Sequence, residues 1–188
     1  TLLIDLRGHG NSEGNSTSLG VKETEEVKLA YDFIVSKGEK KIILYGSSMG
    51  AVVVAKAIHD YQWKVAGVML DMPFQSLQTY LKDKARTLGF PSQPFAFLTT
   101  FWIGMQKGYN GFKHKTTRYV KDIHCPVLMQ WGSLDHFILR EETQSIFNSI
   151  GTAQKKLVIY ERAGHESFAQ NDPLKWRIET ERFLATAQ

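Results

Sequence analysis

Apolar positions recur along this chain in two alternating rhythms. Short runs at 2–6, 41–45, 65–70, 126–131 and 156–160 are β-branched and almost uninterrupted, the pattern of strands buried on both faces of a parallel sheet. Between them the spacing lengthens. Val27, Ala30, Tyr31 and Ile34 recur at i, i+3, i+4 and i+7, which predicts an amphipathic helix closed by Gly38 in the left-handed conformation. Residues 51–58 are nearly all apolar and predict a helix buried against the sheet, and two more helices are expected over 141–150 and 173–187. Strands separated by helices in this order predict an α/β fold with five strands.

Residues 74–123 break the rhythm. Two helical patterns, at about 77–88 and 94–107, follow one another with no strand between them. The segment holds ten aromatic residues. It also carries Lys82, Lys84, Arg86, Lys107, Lys113, Lys115, Arg118 and Lys121 against only Asp83 and Asp122, a balance of +6 in a chain whose total is +4. It reads as a helical lid inserted into a core made of 1–73 and 124–188. Its charge is open to two readings: lysines that simply solvate a lid whose aromatics pack on the core, or attraction to amphipathic substrates or a membrane surface.

Composition narrows the field. At 188 residues, 43% hydrophobic and 22% charged, the chain fits one globular domain and excludes disordered, collagen-like and coiled-coil proteins. The net charge is too mild to predict a nucleic-acid partner. No apolar run is long enough for a bilayer span. One cysteine, Cys125, rules out an internal disulfide and fits a reducing compartment, so a cytoplasmic location is expected; any signal or anchor would precede Thr1.

The chemistry gathers where strands end. Gly46-Ser47-Ser48-Met49-Gly50 follows the second run and opens the buried helix, a strand-to-helix turn that lifts its central serine above the sheet and aims the helix N-terminus at it. Small residues two before and two after Ser48 are expected to relieve crowding there. A serine hydroxyl needs a base to take its proton. Of six histidines, His9, His59, His114, His124, His136 and His165, only His165 lies just past a buried strand run in a loop that would bring it over Ser48; His59 continues the buried helix, His114 and His124 are expected in solvent, and His136 adjoins the candidate acid. No metal-ligand spacing occurs, and neither a metal nor a cofactor is expected. For the acid that orients His165, Asp135 and Asp71 both end strand runs, and Asp135 is preferred because it gives the order serine, acid, histidine.

These residues, with Asp5-Leu6-Arg7-Gly8-His9-Gly10-Asn11-Ser12 at the front, Cys125-Pro126-Val127-Leu128 with Gly132, and Gly164-His165, make the chain resemble the α/β-hydrolase superfamily from its fourth strand onward. Within it the likeness is to serine-aminopeptidase-like and monoglyceride-lipase-like hydrolases with a short helical lid. The resemblance implies a Ser48–His165–Asp135 triad with a Met49 N–H as one oxyanion donor, acting on an ester, thioester or amide; the aromatic lid favours a carboxylic ester of a small apolar or amphipathic acyl group over a peptide. Phe74, Phe101 and Trp102 of the lid are the candidates for substrate contact. The family draws its second oxyanion donor from a loop after strand three, ahead of anything present here, so the sequence is expected to be part of a longer protein. Two alternatives use the same residues: a non-catalytic binding module, and an acyltransferase.

Overall fold

The computed structural model describes residues 1–187. Four parallel strands form one sheet: β1 (Ile43–Ser47), β2 (Gly67–Asp71), β3 (Val127–Gly132) and β4 (Lys155–Tyr160), in that spatial order. Among the described residues eight α-helices accompany it: α1 (Thr24–Ser36), α2 (Met49–Tyr61), α3 (Leu77–Thr87), α4 (Ser92–Lys107), α5 (Thr116–Tyr119), α6 (Arg140–Ser149), α7 (Phe168–Asn171) and α8 (Pro173–Thr186). Every strand runs the same way, so all four carboxyl ends share one edge of the sheet.

Alternation along the central strands builds the core. Val68 and Leu70 of β2 join Val127 and Met129 of β3 in a cluster with Val54 and Ile58 of α2 and Ile146 of α6. Met69 and Leu128 turn the other way, to Phe168 of α7 and Phe183 of α8. The sheet is thus the middle of three layers, and each fully buried aliphatic side chain contributes about 1.5–3 kcal/mol. α1 docks on the outside of α2 through Val27 against Val53 and Ala57. It ends as expected, with Gly38 at φ 88°.

One predicted strand is not formed. Residues 2–6 are not in the sheet, and Leu3 is 87% exposed. A strand exists only as one half of a hydrogen-bonded ladder, and among the described residues β1, the strand next in sequence, pairs with β2 alone. Residues 5–12 instead close local turns: the Asn11 N–H donates to the Asp5 carboxylate at 3.0 Å and the Ser12 hydroxyl to the Asp5 carbonyl at 2.7 Å. Arg7 ties this segment to α1 by ion pairs with Glu25 and Glu26.

Within 74–123, α3 opens with a reciprocal cap in which the Ser76 side chain accepts the Thr79 N–H and the Thr79 hydroxyl accepts the Ser76 N–H. The helix that follows is unusual. α4 buries Ala96, Thr100 and Gly104, spaced four apart, packs Ile103 into the cluster of Leu77 and Leu81, and leaves Phe97, Leu98, Phe101, Trp102 and Met105 exposed. Small side chains let α4 lie close to α3 and to the turn at Gly111. Among the described residues no helix is long and apolar enough to cross a membrane.

Candidate active site

β1 ends at Ser47 and α2 begins at Met49, which leaves Ser48 alone to turn the chain. Its backbone sits at φ 51° and ψ −116°, a strained conformation for a residue with a Cβ, and the surrounding structure holds it there. The Ser48 N–H donates to the Asp71 carbonyl at 2.7 Å. Gly46 makes the turn possible, because a Cβ there would lie 2.3 Å from the Gly50 carbonyl oxygen. At Gly50 a Cβ would meet open space. The expected relief of crowding therefore belongs to Gly46 and not to Gly50.

The Ser48 hydroxyl lies 2.9 Å from His165 Nε2, and His165 Nδ1 lies 2.7 Å from Asp135 Oδ2. Asp135 is buried, and its other oxygen, Oδ1, accepts the backbone N–H groups of Phe137 at 2.8 Å and Ile138 at 2.9 Å. That leaves Oδ2 for the imidazole. A Nδ1–H donated to Asp135 makes Nε2 an acceptor facing the serine hydroxyl. The three side chains come from loops after β1, β3 and β4. Gly132 lets two of these loops touch: a Cβ there would lie 2.4 Å from the Ala163 carbonyl oxygen, and the Leu134 N–H donates to that same oxygen at 2.9 Å.

Met49 is the first residue of α2, and the first N–H groups of a helix have no acceptor within it. Together with the helix dipole they favour negative charge beside Ser48.

Asp71 has other partners. Its carboxylate accepts the Tyr45 hydroxyl at 2.9 Å and Gln130 Nε2 at 2.8 Å, and Gln130 Oε1 accepts the Tyr160 hydroxyl at 2.7 Å. One residue from each strand thus forms a polar row across the sheet. Burial pushes the Asp71 carboxyl up to about 6, although both hydrogen bonds work against that rise.

The remaining histidines lie elsewhere. His59 pairs with Asp122, and His124 faces the Gly151 carbonyl at 3.3 Å. His114 is a correction: it is buried, not solvated, and its ring nitrogens meet the Tyr119 hydroxyl at 3.0 Å and the Leu19 carbonyl at 2.9 Å. Burial holds its pKa down to about 4. Of the lid candidates, Phe74 is a core residue packed against Tyr80 and His114, whereas Phe101 and Trp102 stand on the exposed face of α4. Sequence reasoning missed Phe137, whose ring meets the His165 ring edge-on at 5.8 Å and lies under the Lys84 ammonium of α3. Its place two residues after Asp135 is the only local signal.

Among the described residues, no three His, Cys, Asp or Glu side chains group as a metal site. A cavity of about 340 Å³ opens between β3, β4 and α8 at the amino ends of the strands, the side of the sheet away from Ser48.

Residues 1–99 match the family described as serine aminopeptidase, S33. The chain is 27% identical over 176 residues to protein bem46 of Schizosaccharomyces pombe, covering 90% of this chain and 53% of that protein. It is 25% identical over 187 residues to the uncharacterized protein YqkD of Bacillus subtilis, covering 97% of this chain and 61% of that one. The chain thus spans little more than half of these relatives. An esterase of Pyrococcus furiosus superposes with a TM-score of 0.73 at 22% identity, over 96% of this chain and 68% of that one. A monoacylglycerol lipase of Paleococcus ferrophilus gives 0.66 at 21% identity, over 95% and 80%. These two likenesses concern the fold, a parallel sheet with helices on both faces, and the match over 1–99 adds the lineage: the chain belongs to the serine aminopeptidase S33 family and has the α/β-hydrolase fold.

Proposed function

We propose that this chain carries the catalytic residues of a serine hydrolase that cleaves a carboxylic ester, with Ser48 as nucleophile, His165 as general base and then acid, and Asp135 as the group that orients His165. The reading rests on the unbroken hydrogen-bonded line from Ser48 through His165 to Asp135, anchored at a serine whose backbone is already strained into the turn. In this reading His165 Nε2 takes the hydroxyl proton as Ser48 Oγ bonds to the substrate carbonyl carbon. The carbonyl oxygen becomes an oxyanion beside the Met49 N–H at the start of α2. Collapse breaks the ester C–O bond, and His165 returns the proton to the leaving alcohol. Water, deprotonated by the same imidazole, then releases the acid and restores Ser48. Asp135 orients and stabilises the imidazolium through Oδ2, while two backbone N–H groups hold its second oxygen in place.

Residues 74–123 act in this reading as a lid over an apolar or amphipathic acyl substrate. α3 bears on the catalytic loop through Lys84 and Phe137. Labelling of the intact protein by a fluorophosphonate probe tests the proposal. The expected result is a single label that Ser48→Ala abolishes and His165→Ala suppresses. Labelling that survives Ser48→Ala would sink it.

A further inference from the structure

α3 carries a lysine where its register calls for an apolar side chain. Leu77, Tyr80 and Leu81 pack inward, and Lys84 follows them by seven, four and three residues, which sets it on the same face. Its chain neighbours Asp83 and Ala85 are both buried. Lys84 itself is exposed, so at this end of α3 the inward face looks onto an opening and not onto the core.

The opening adjoins the triad. Lys84 Nζ stands 5.4 Å from the centre of the Phe137 ring, and that ring meets the His165 ring edge-on at 5.8 Å. The ammonium can be no further from the imidazole than these two steps laid end to end. Phe137 is fixed from its backbone as well, because its N–H donates to Asp135 Oδ1 at 2.8 Å. Among the described residues no carboxylate neutralises the lysine: Asp83 pairs with Arg86, and Asp135 is turned to His165 and to backbone donors. Glu166, beside His165 in sequence, accepts the Gly164 N–H at 3.2 Å and Asn171 Nδ2 at 2.9 Å.

The triad also says which part of a substrate such a cation would meet. The acyl group stays on Ser48, whereas the leaving alcohol takes its proton from His165 Nε2 and so lies on the imidazole side. Phe137 and Lys84 border that side. An unpaired ammonium there attracts negative charge and repels positive charge.

We propose that Lys84 is a specificity-determining residue that selects esters whose alcohol portion carries a negative charge, with Phe137 as the floor beneath that group. The proposal rests on the serine-hydrolase reading above and narrows its substrate class.

Steady-state kinetics on a matched pair of butyrate esters, p-carboxyphenyl and p-carbamoylphenyl, tests it, since the two alcohols differ by one charge at nearly equal size. Lys84→Gln is expected to lower kcat/KM for the carboxylate ester at least about threefold, chiefly through KM, and to leave the carbamoyl ester within about twofold. Lys84→Arg should keep the wild-type ratio of the two esters, and Lys84→Glu should depress the carboxylate ester further. Added salt should shrink the wild-type advantage of the charged ester over Lys84→Gln. An equal loss on both esters would make Lys84 only an anchor of α3 on Phe137 and overturn the proposal. So would no loss on either, or a loss seen only when the charge is on the acyl side, read with p-nitrophenyl hemiglutarate against p-nitrophenyl butyrate. Failure of the catalytic reading is recognised separately, as turnover of the neutral ester that does not depend on Ser48, and it would remove the proposal with it.

Discussion

Asp135 and Asp71 are both buried carboxylates at one edge of the sheet, and their partners separate them. Asp135 faces His165 and backbone donors, while Asp71 faces Tyr45 and Gln130. We expect Asp135→Asn to lower kcat for a short p-nitrophenyl ester by about 10⁴-fold, as loss of the orienting acid does in such triads. Asp71→Asn, which keeps an acceptor for one neighbour, should stay within about tenfold. The reverse ranking in steady-state kinetics would move the acid to Asp71. Gly46→Ala should cost at least about 1–3 kcal/mol in urea unfolding, because its methyl would enter backbone at 2.3 Å. At this scale the sequence was largely readable. Ser48, Asp135 and His165 each sit in a short local signature, whereas the packing of Phe137 on His165 and the burial of His114 depend on segments far apart in the chain.

Between elements, the clearest tie of α3 to the core is a pair of acids. Asp83 and Glu142 of α6 are both buried, and Arg86 pairs with Asp83 at 2.9 Å. Burial raises both carboxyls, and ionised Asp83 raises Glu142 further. A carboxyl raised in the folded state binds its proton more tightly there than in the unfolded chain. Its contribution is therefore complete at acid pH and is lost as pH climbs from the ordinary glutamate value of about 4.3 towards the raised one. His114 acts oppositely: its depressed pKa favours the fold above 6.5, and that contribution fades as pH falls towards 4. Glu142→Gln isolates the acid pair. Thermal unfolding followed against pH should show the variant gaining on the wild type as pH rises through neutrality, and a constant difference would dismiss the pair. Apart from residues 2–6, expected as a strand, and the one-turn helices α5 and α7, which no periodicity announced, helix and strand positions were readable to within a few residues. What periodicity could not reveal was the facing of α4, since phenylalanines four apart read equally well as a core stripe.

For the molecule as a whole, residues 74–123 look separable in sequence, yet their return limb is core. Tyr119, Val120 and Ile123 share a cluster with Val54, Ile58 and Ile146. Calorimetry should accordingly record one cooperative transition, and two resolved transitions would make the segment a domain of its own. The five-strand expectation failed at residues 2–6 because being a strand is a property of a pair, which no single run of sequence contains. The row Tyr45–Asp71–Gln130–Tyr160 has a consequence of the same collective kind. Three of the strands it links carry the loops of Ser48, Asp135 and His165, so those loops are levelled against one another by a side-chain crossbar as well as by the backbone ladders. Alignment of the three groups is then a shared tolerance. A residue at one end of the bar cannot be exchanged freely without its distant counterparts, and replacements along it should be accepted in combination more readily than one at a time.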